Sequence, residues 1–174
     1  MSPNASELVE VHLRGIPVGI WAQLDEDTKD LRREFALILL GARPGERDVP
    51  ERLLQLIDRL QANYGHLNPE QEMALEDAVK RGDTEIEQLD YQIPIGVEAD
   101  LVALGSMLDE ADEYCRSGEY LLSLAASPVS KAFRDWFLSE FARQVRGEEP
   151  ISWVDSSYAR DLEAADAADR STDS

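Results

Sequence analysis

Histidine, cysteine and clustered carboxylates are the side chains of this sequence that could do chemistry. The histidines are His12 and His66, and the single cysteine is Cys115. A histidine suits acid–base catalysis near neutral pH, but neither histidine has a catalytic partner beside it in the sequence. Cys115 is flanked by carboxylates, which raise the pKa of a thiol and suppress the reactive thiolate. The sequence therefore predicts solvated or turn-capping histidines and a buried, unreactive thiol.

Carboxylates are concentrated at two places, residues 25–30 and 109–113. Residues three or four apart share one face of a helix, so Asp109, Asp112 and Glu113 could converge on a divalent cation. Their spacing matches no calcium-binding loop, and acidic runs on helices are usually solvated faces. We therefore expect no resident metal or cofactor. A divalent-cation-dependent hydrolase or phosphatase that uses this acidic cluster is the alternative hypothesis.

Sequence motifs of the common enzyme classes are missing. The chain has no G-x-S-x-G elbow, and the glycine-containing loop at 41–45 lacks the lysine and hydroxyl group of a phosphate site. We therefore predict a protein without catalytic residues. A small-molecule sensor, with a pocket between sheet and helices, remains a further hypothesis.

The net charge restricts the partners. The sequence has 36 acidic and 17 basic residues and a formal charge of -19. Nucleic-acid binding depends on Lys and Arg that displace counterions from phosphates, so neither nucleic acid nor anionic lipid is an expected partner. No stretch approaches the roughly 20 apolar residues of a membrane span. The first ten residues lack a secretory pattern and the one cysteine allows no intrachain disulfide, so we expect a cytoplasmic protein.

Hydrophobic periodicity predicts the elements that position these residues. Apolar and polar residues alternate near 8–14 and 85–93, which predicts two strands that pair with each other. Helical stripes predict helices over 17–40, 50–64, 69–81, 97–117, 119–126 and 128–146. Five of these helices are followed by glycines suited to a left-handed C-cap, namely Gly41, Gly65, Gly82, Gly118 and Gly147. The predicted fold class is mainly α with a small two-stranded sheet (α+β), in which the helices pack on a short β-ribbon.

A single helical domain is predicted over residues 1–147, followed by an acidic, largely disordered tail over 148–174. This length is enough for one core. The last 27 residues contain eight acidic and two basic residues. Trp153 could dock on the domain, but residues 164–174 have too little apolar surface to offset the entropy of ordering.

Six aromatic residues are candidates for a contact surface: Trp21, Phe133, Trp136, Phe137, Phe141 and Trp153. Packing in the core is the alternative, because each buried side chain of this size contributes about 1.5 to 3 kcal/mol. Exposure of Trp21 or Trp136 would instead indicate an interface. The acidic surface could also attract a basic partner, with solubility as its alternative role.

Two sets of residues carry a family resemblance. The first is VHLRGIPV at 11–18 with LRREFALI at 31–38. The second runs from LDEADEYCR at 108–116 through Leu121-Leu122, Phe133-Arg134, Trp136-Phe137, Glu140-Phe141 and Arg143-Gln144 to Trp153. Over roughly residues 7–153 the chain resembles an uncharacterised family of actinobacterial proteins, whose genes often lie beside anti-sigma-factor kinases, their antagonists, or serine phosphatases of the partner-switching type.

The resemblance implies an accessory or regulatory role in anti-sigma signalling, with a signalling ATPase or phosphatase as the partner. It carries over no functional residues. The chain is not the kinase itself, since it lacks the Asn-bearing acidic helix motif and the Asp-x-Gly-x-Gly loop that hold magnesium and nucleotide in that ATPase. We therefore predict a non-enzymatic protein that acts by protein–protein contact.

Overall fold

The computed structural model describes residues 7–40, 51, 54, 55, 58, 69–118, 121 and 125–172. In chain order the elements are β1 (Leu8–Pro17), α1 (Val18–Leu39), α2 (Pro69–Arg81), β2 (Glu85–Pro94), α3 (Glu98–Ser117), α4 (Pro128–Val145) and α5 (Ser157–Thr172). This mainly helical chain with a two-stranded sheet confirms the predicted fold class. Of the helices in these residues, none is both long and apolar enough to cross a membrane.

The two strands form an antiparallel ribbon with one buried and one solvated face. Val11 lies opposite Tyr91, and His12 lies opposite Asp90. Val11 and Tyr91 are buried, whereas Asp90 is exposed and His12 is partly exposed. The alternation predicted for both strands is therefore confirmed, since successive side chains of a strand point to opposite faces.

Gly15 changes which face of β1 turns toward the core. Its φ is +64°, a conformation that side chains with a Cβ rarely adopt. Beyond it the alternation shifts by one residue, so that Ile16 is buried. A Cβ at this position would lie 3.5 Å from Cβ of Ser152. The same kink lets the carbonyl of Arg14 accept a hydrogen bond from the backbone N–H of Trp153, at 3.1 Å.

Helix boundaries follow the predicted signals at most described positions. α2 begins at Pro69, and α4 begins where Ser127 Oγ accepts a hydrogen bond from the N–H of Ser130. The glycines predicted to follow α2, α3 and α4 all have positive φ: Gly82, Gly118 and Gly147. The predicted helix at 50–65 lies largely outside the described residues, as do Gly41 and Gly65.

The short helix predicted over 119–126 is wrong at the positions that can be checked, because Leu121, Ala125 and Ala126 are not helical. The backbone N–H of Ala126 instead donates to Oδ1 of Asp112, at 3.0 Å. A side chain from another helix has therefore replaced the bond to a backbone carbonyl that a helix would provide.

Within the described residues the core consists of two clusters. The larger joins the buried face of the ribbon to α4 and includes Val11, Leu13, Tyr91, Phe133 and Trp136. The smaller joins α1 to α3 and includes Phe35, Ile38, Met107, Ala111 and Leu121. α4 is thus the helix around which the ribbon, α1, α3 and α5 are arranged.

The segment after residue 147 differs from the largely disordered tail that the sequence predicts. Trp153 is buried, and α5 follows at Ser157–Thr172. Tyr158, Ala159 and Leu162 pack on the larger core cluster, and this apolar surface explains why the first turns are ordered. Residues 163–172 are all exposed. Disorder at that exposed end stays a prediction.

Candidate functional site

The structure places the six aromatic candidates in the core or against it. Phe133, Trp136, Phe141 and Trp153 are buried, and Trp21 and Phe137 are partly buried beside them. The ring centroids of Trp136 and Trp153 are 5.8 Å apart, and the indole N–H of Trp136 donates to the carbonyl of Ile151 at 3.1 Å. The ring of Trp136 therefore packs inside the domain and its indole N–H has a hydrogen-bond partner there, as expected for a core residue.

Two carboxylates of the acidic cluster form ion pairs with Arg134 of α4. Nη2 of Arg134 lies 2.8 Å from Oδ1 of Asp109 and 3.0 Å from Oδ2 of Asp112. Arg134 is only 7% exposed and Asp112 only 6%. The pair is therefore screened from water and joins α3 to α4.

The remaining charges near this cluster are also paired. Nζ of Lys131 lies 3.1 Å from Asp109 and 2.8 Å from Asp135, and Glu113 pairs with Arg116 one turn further along α3. The three predicted ligands thus contact cations of the chain itself. Glu113 and its partner Arg116 are both exposed, whereas Asp112 and Arg134 are buried.

Cys115 has the unreactive environment that the sequence predicts. Its thiol is partly buried, and burial is the main cause that raises its pKa to about 11, with smaller contributions from Asp112 and Glu34. Neutral thiols are poor nucleophiles, so this environment disfavours nucleophilic chemistry at Cys115 near neutral pH. The sequence predicts the direction correctly, but burial outweighs the neighbouring carboxylates.

A second buried carboxylate organises the chain after α4. Oε1 of Glu140 lies 2.6 Å from Nη1 of Arg143, while Oε2 accepts bonds from Nε2 of Gln144 at 3.1 Å and from the N–H of Ile151 at 2.9 Å. Glu140 is 2% exposed. These polar residues of the second resemblance set therefore have structural partners, which gives them a reason to be present without catalysis.

The solvated face of the ribbon brings together three side chains suited to metal binding: Glu10, His12 and Asp90. Nδ1 of His12 lies 2.6 Å from Oδ1 of Asp90, and one ligand atom from each of the three residues lies within 4.8 Å of the others. Nε2 of Gln88 donates to the same Asp90 oxygen at 2.7 Å. The hydrogen bond with His12, followed by that from Gln88, holds the pKa of Asp90 below its ordinary value.

Sequence reasoning missed this cluster although both strands were predicted. Alternation places Glu10 and His12 on one face of β1 and Asp90 on one face of β2, but it does not fix the register between strands. A shift of two residues would keep every side chain on its face and place a different residue opposite His12. The register depends on packing by residues far away in the sequence.

A shallow groove of about 310 Å³ lies between α4 and α5 and is open to solvent. Its lining combines apolar side chains with charged ones: Pro128, Lys131, Ala132, Asp135, Tyr158, Asp161 and Leu162. Both helices that form it pack on the larger core cluster, so its walls are firmly supported.

No protein-family model, curated protein or solved structure matches this chain. The family resemblance accordingly rests on the quoted residues alone.

Proposed function

We propose that this protein is a non-enzymatic regulatory or accessory protein of the cytoplasm, which binds another protein through the groove between α4 and α5. The supporting observation is the combination of an apolar lining with acidic residues at one surface. Contact sites between proteins commonly have an apolar centre and a polar rim. A groove between two helices is also a common docking place for a peptide or a helix.

Charge favours a basic occupant. Within the described residues, neither Asp161 in the groove nor the exposed Glu163, Asp166 and Asp169 of α5 makes an ion pair. The one cation of the groove, Lys131, is already paired with Asp135 and Asp109. A segment with an apolar side chain flanked by Arg or Lys would therefore meet uncompensated negative charge, which speeds the encounter of the two proteins.

The resemblance suggests where to look for the occupant. Its implied partner is a signalling ATPase or phosphatase of the partner-switching type, and a basic surface segment of such a protein would fit this groove. The cation-dependent hydrolase is the less supported alternative, because a metal ion at Asp109 and Asp112 would have to displace the buried guanidinium of Arg134.

Binding of purified candidate partners, measured by calorimetry at two salt concentrations, tests the proposal. We expect Asp161→Lys to weaken binding about tenfold and to reduce its salt dependence. The matched control is Glu72→Lys on α2, which changes the net charge equally at an exposed site away from the groove. Equal weakening by both variants would show that only total charge matters, and absence of binding by any candidate would remove the signalling role.

A further inference from the structure

We propose that Glu10, His12 and Asp90 form a binding site for a divalent transition-metal cation, with Zn²⁺ as the best match. Their ligand atoms converge within 4.8 Å of one another on the solvated face of the ribbon. The two carboxylates come from different strands, and His12 stands directly opposite Asp90. This site is independent of the groove between α4 and α5.

The donor set decides the class of metal. One imidazole nitrogen with two carboxylate oxygens is a ligand combination that suits Zn²⁺, whereas Mg²⁺ and Ca²⁺ prefer oxygen alone. Zinc bonds to such ligands are about 2.0–2.2 Å long, so ligand atoms around a tetrahedral ion lie about 3.3 Å apart. The present separations bracket that value, being 2.6 Å for the closest pair and at most 4.8 Å. Small side-chain rotations would therefore complete the site and leave a fourth position for water.

Two glutamine side chains fix the backbone that carries His12 and Asp90. The amide of Gln144 accepts a bond from the N–H of His12 at 2.8 Å and donates to its carbonyl at 2.9 Å. On the other strand, Nε2 of Gln71 donates to the carbonyl of Asp90 at 2.6 Å. The backbone positions of both residues are therefore held from α4 and α2.

The site is open to an incoming ion and carries favourable charge. The side chains of His12 and Asp90 are 32% and 52% exposed. Among the described residues of the two strands, Glu10 and Asp90 supply two negative charges on this face and Arg14 one positive charge. Nδ1 of His12 and Oδ1 of Asp90 are hydrogen-bonded at 2.6 Å, and a cation would take the place of the hydrogen between them.

Long-range ¹H–¹⁵N spectra provide a direct test, since the chain has only two imidazole groups. On titration with Zn²⁺ we expect the His12 nitrogens to shift and those of His66 to stay. Calorimetry should show that His12→Gln weakens Zn²⁺ binding by at least about tenfold, since loss of even an outer-shell partner costs 10–100-fold. Glu10→Gln and Asp90→Asn should also weaken it.

The matched control is Glu87→Gln, which removes an exposed carboxylate from β2 without removing a ligand. This variant should bind Zn²⁺ as the unmodified protein does. Three results would each overturn the proposal. The first is that Zn²⁺ does not shift the His12 nitrogen resonances. The others are that the His12→Gln variant binds Zn²⁺ as tightly as the unmodified protein, or that the unmodified protein binds Mg²⁺ as tightly as Zn²⁺.

Discussion

Replacement of Arg134 by methionine tests whether the acidic cluster of α3 is a structural ion-pair network. The substitution keeps a long apolar side chain in the interior but removes the partner of Asp112, which is 6% exposed. Removing one partner of a buried pair costs about 3–5 kcal/mol. The loss of the ion pair with Asp109 adds little to this cost, because the Asp109 side chain is 52% exposed and is hydrated once Arg134 is gone.

Two features reduce the expected cost. Asp112 keeps the hydrogen bond from the N–H of Ala126, at 3.0 Å. In addition, Nε of Arg134 has no partner in the described structure, so its removal eliminates a buried donor whose desolvation costs about 1–3 kcal/mol. We therefore expect Arg134→Met to lower the free energy of unfolding by about 2–4 kcal/mol, which a domain with roughly 5–15 kcal/mol of stability can tolerate.

Urea denaturation followed by fluorescence of the three tryptophans measures this change. The midpoint should fall by about 1–2 M with an unchanged slope. Arg33→Met is the control, since Arg33 and Asp30 form an exposed pair at 2.7 Å, with side chains 70% and 61% exposed. Its effect should stay below about 1 kcal/mol.

Two results would refute the reasoning. An Arg134→Met variant as stable as the Arg33→Met control would show that the buried pair contributes no stability. Recovery of stability when Mg²⁺ is added to the Arg134→Met protein, at concentrations without effect on the unmodified chain, would show that the carboxylates form a cation site after all. Addition of Asp112→Leu to Arg134→Met should recover part of the loss, because no unpaired buried charge then remains.

Three further outcomes follow from single positions. Gly15→Ala should lower the free energy of unfolding by about 1–3 kcal/mol, because φ of Gly15 is +64°. Gly19→Ala should raise the free energy of unfolding by up to about 1 kcal/mol, because no atom lies near the added Cβ. Thermal melts compare the two variants. The pKa of Asp90 in the folded protein lies below 3.8, so the stability that this carboxylate contributes is complete above pH 3.8 and is lost as the pH falls through the folded-state pKa. His12→Gln should raise the midpoint of the Asp90 carboxyl titration, measured by ¹³C NMR. Cys115 should react with iodoacetamide roughly a hundredfold more slowly at pH 8 in the folded than in the urea-unfolded protein, because burial raises its pKa from 9.0 to about 11.

The local elements were predictable because short-range rules determine them. Alternation identified both strands, and Pro69 and Ser127 marked the starts of α2 and α4 where the structure has them. The order after residue 147 was less predictable, since its composition is polar and acidic. Composition alone does not show that Trp153 of this segment packs in the core beside Phe133.

The candidate sites depend on long-range pairing and were therefore harder to predict. The sequence shows that Asp109 and Asp112 share a helix face, but it does not show that Arg134, more than twenty residues away, lies against them. The same applies to His12 and Asp90, which are 78 residues apart. Periodicity gives the face of each element, whereas the neighbour across that face is decided by the packing of the whole domain.

The glutamines that hold the ribbon also cover part of its two open edges. A two-stranded sheet has an open edge on each side, and open edges recruit strands from other molecules. Gln144 occupies the N–H and carbonyl of His12 on one edge, and Gln71 occupies the carbonyl of Asp90 on the other. The amide of Gln144 thereby imitates one peptide unit of a third strand, whereas Gln71 supplies a donor alone. Fewer backbone groups of the ribbon are thereby open to pairing with strands of other molecules.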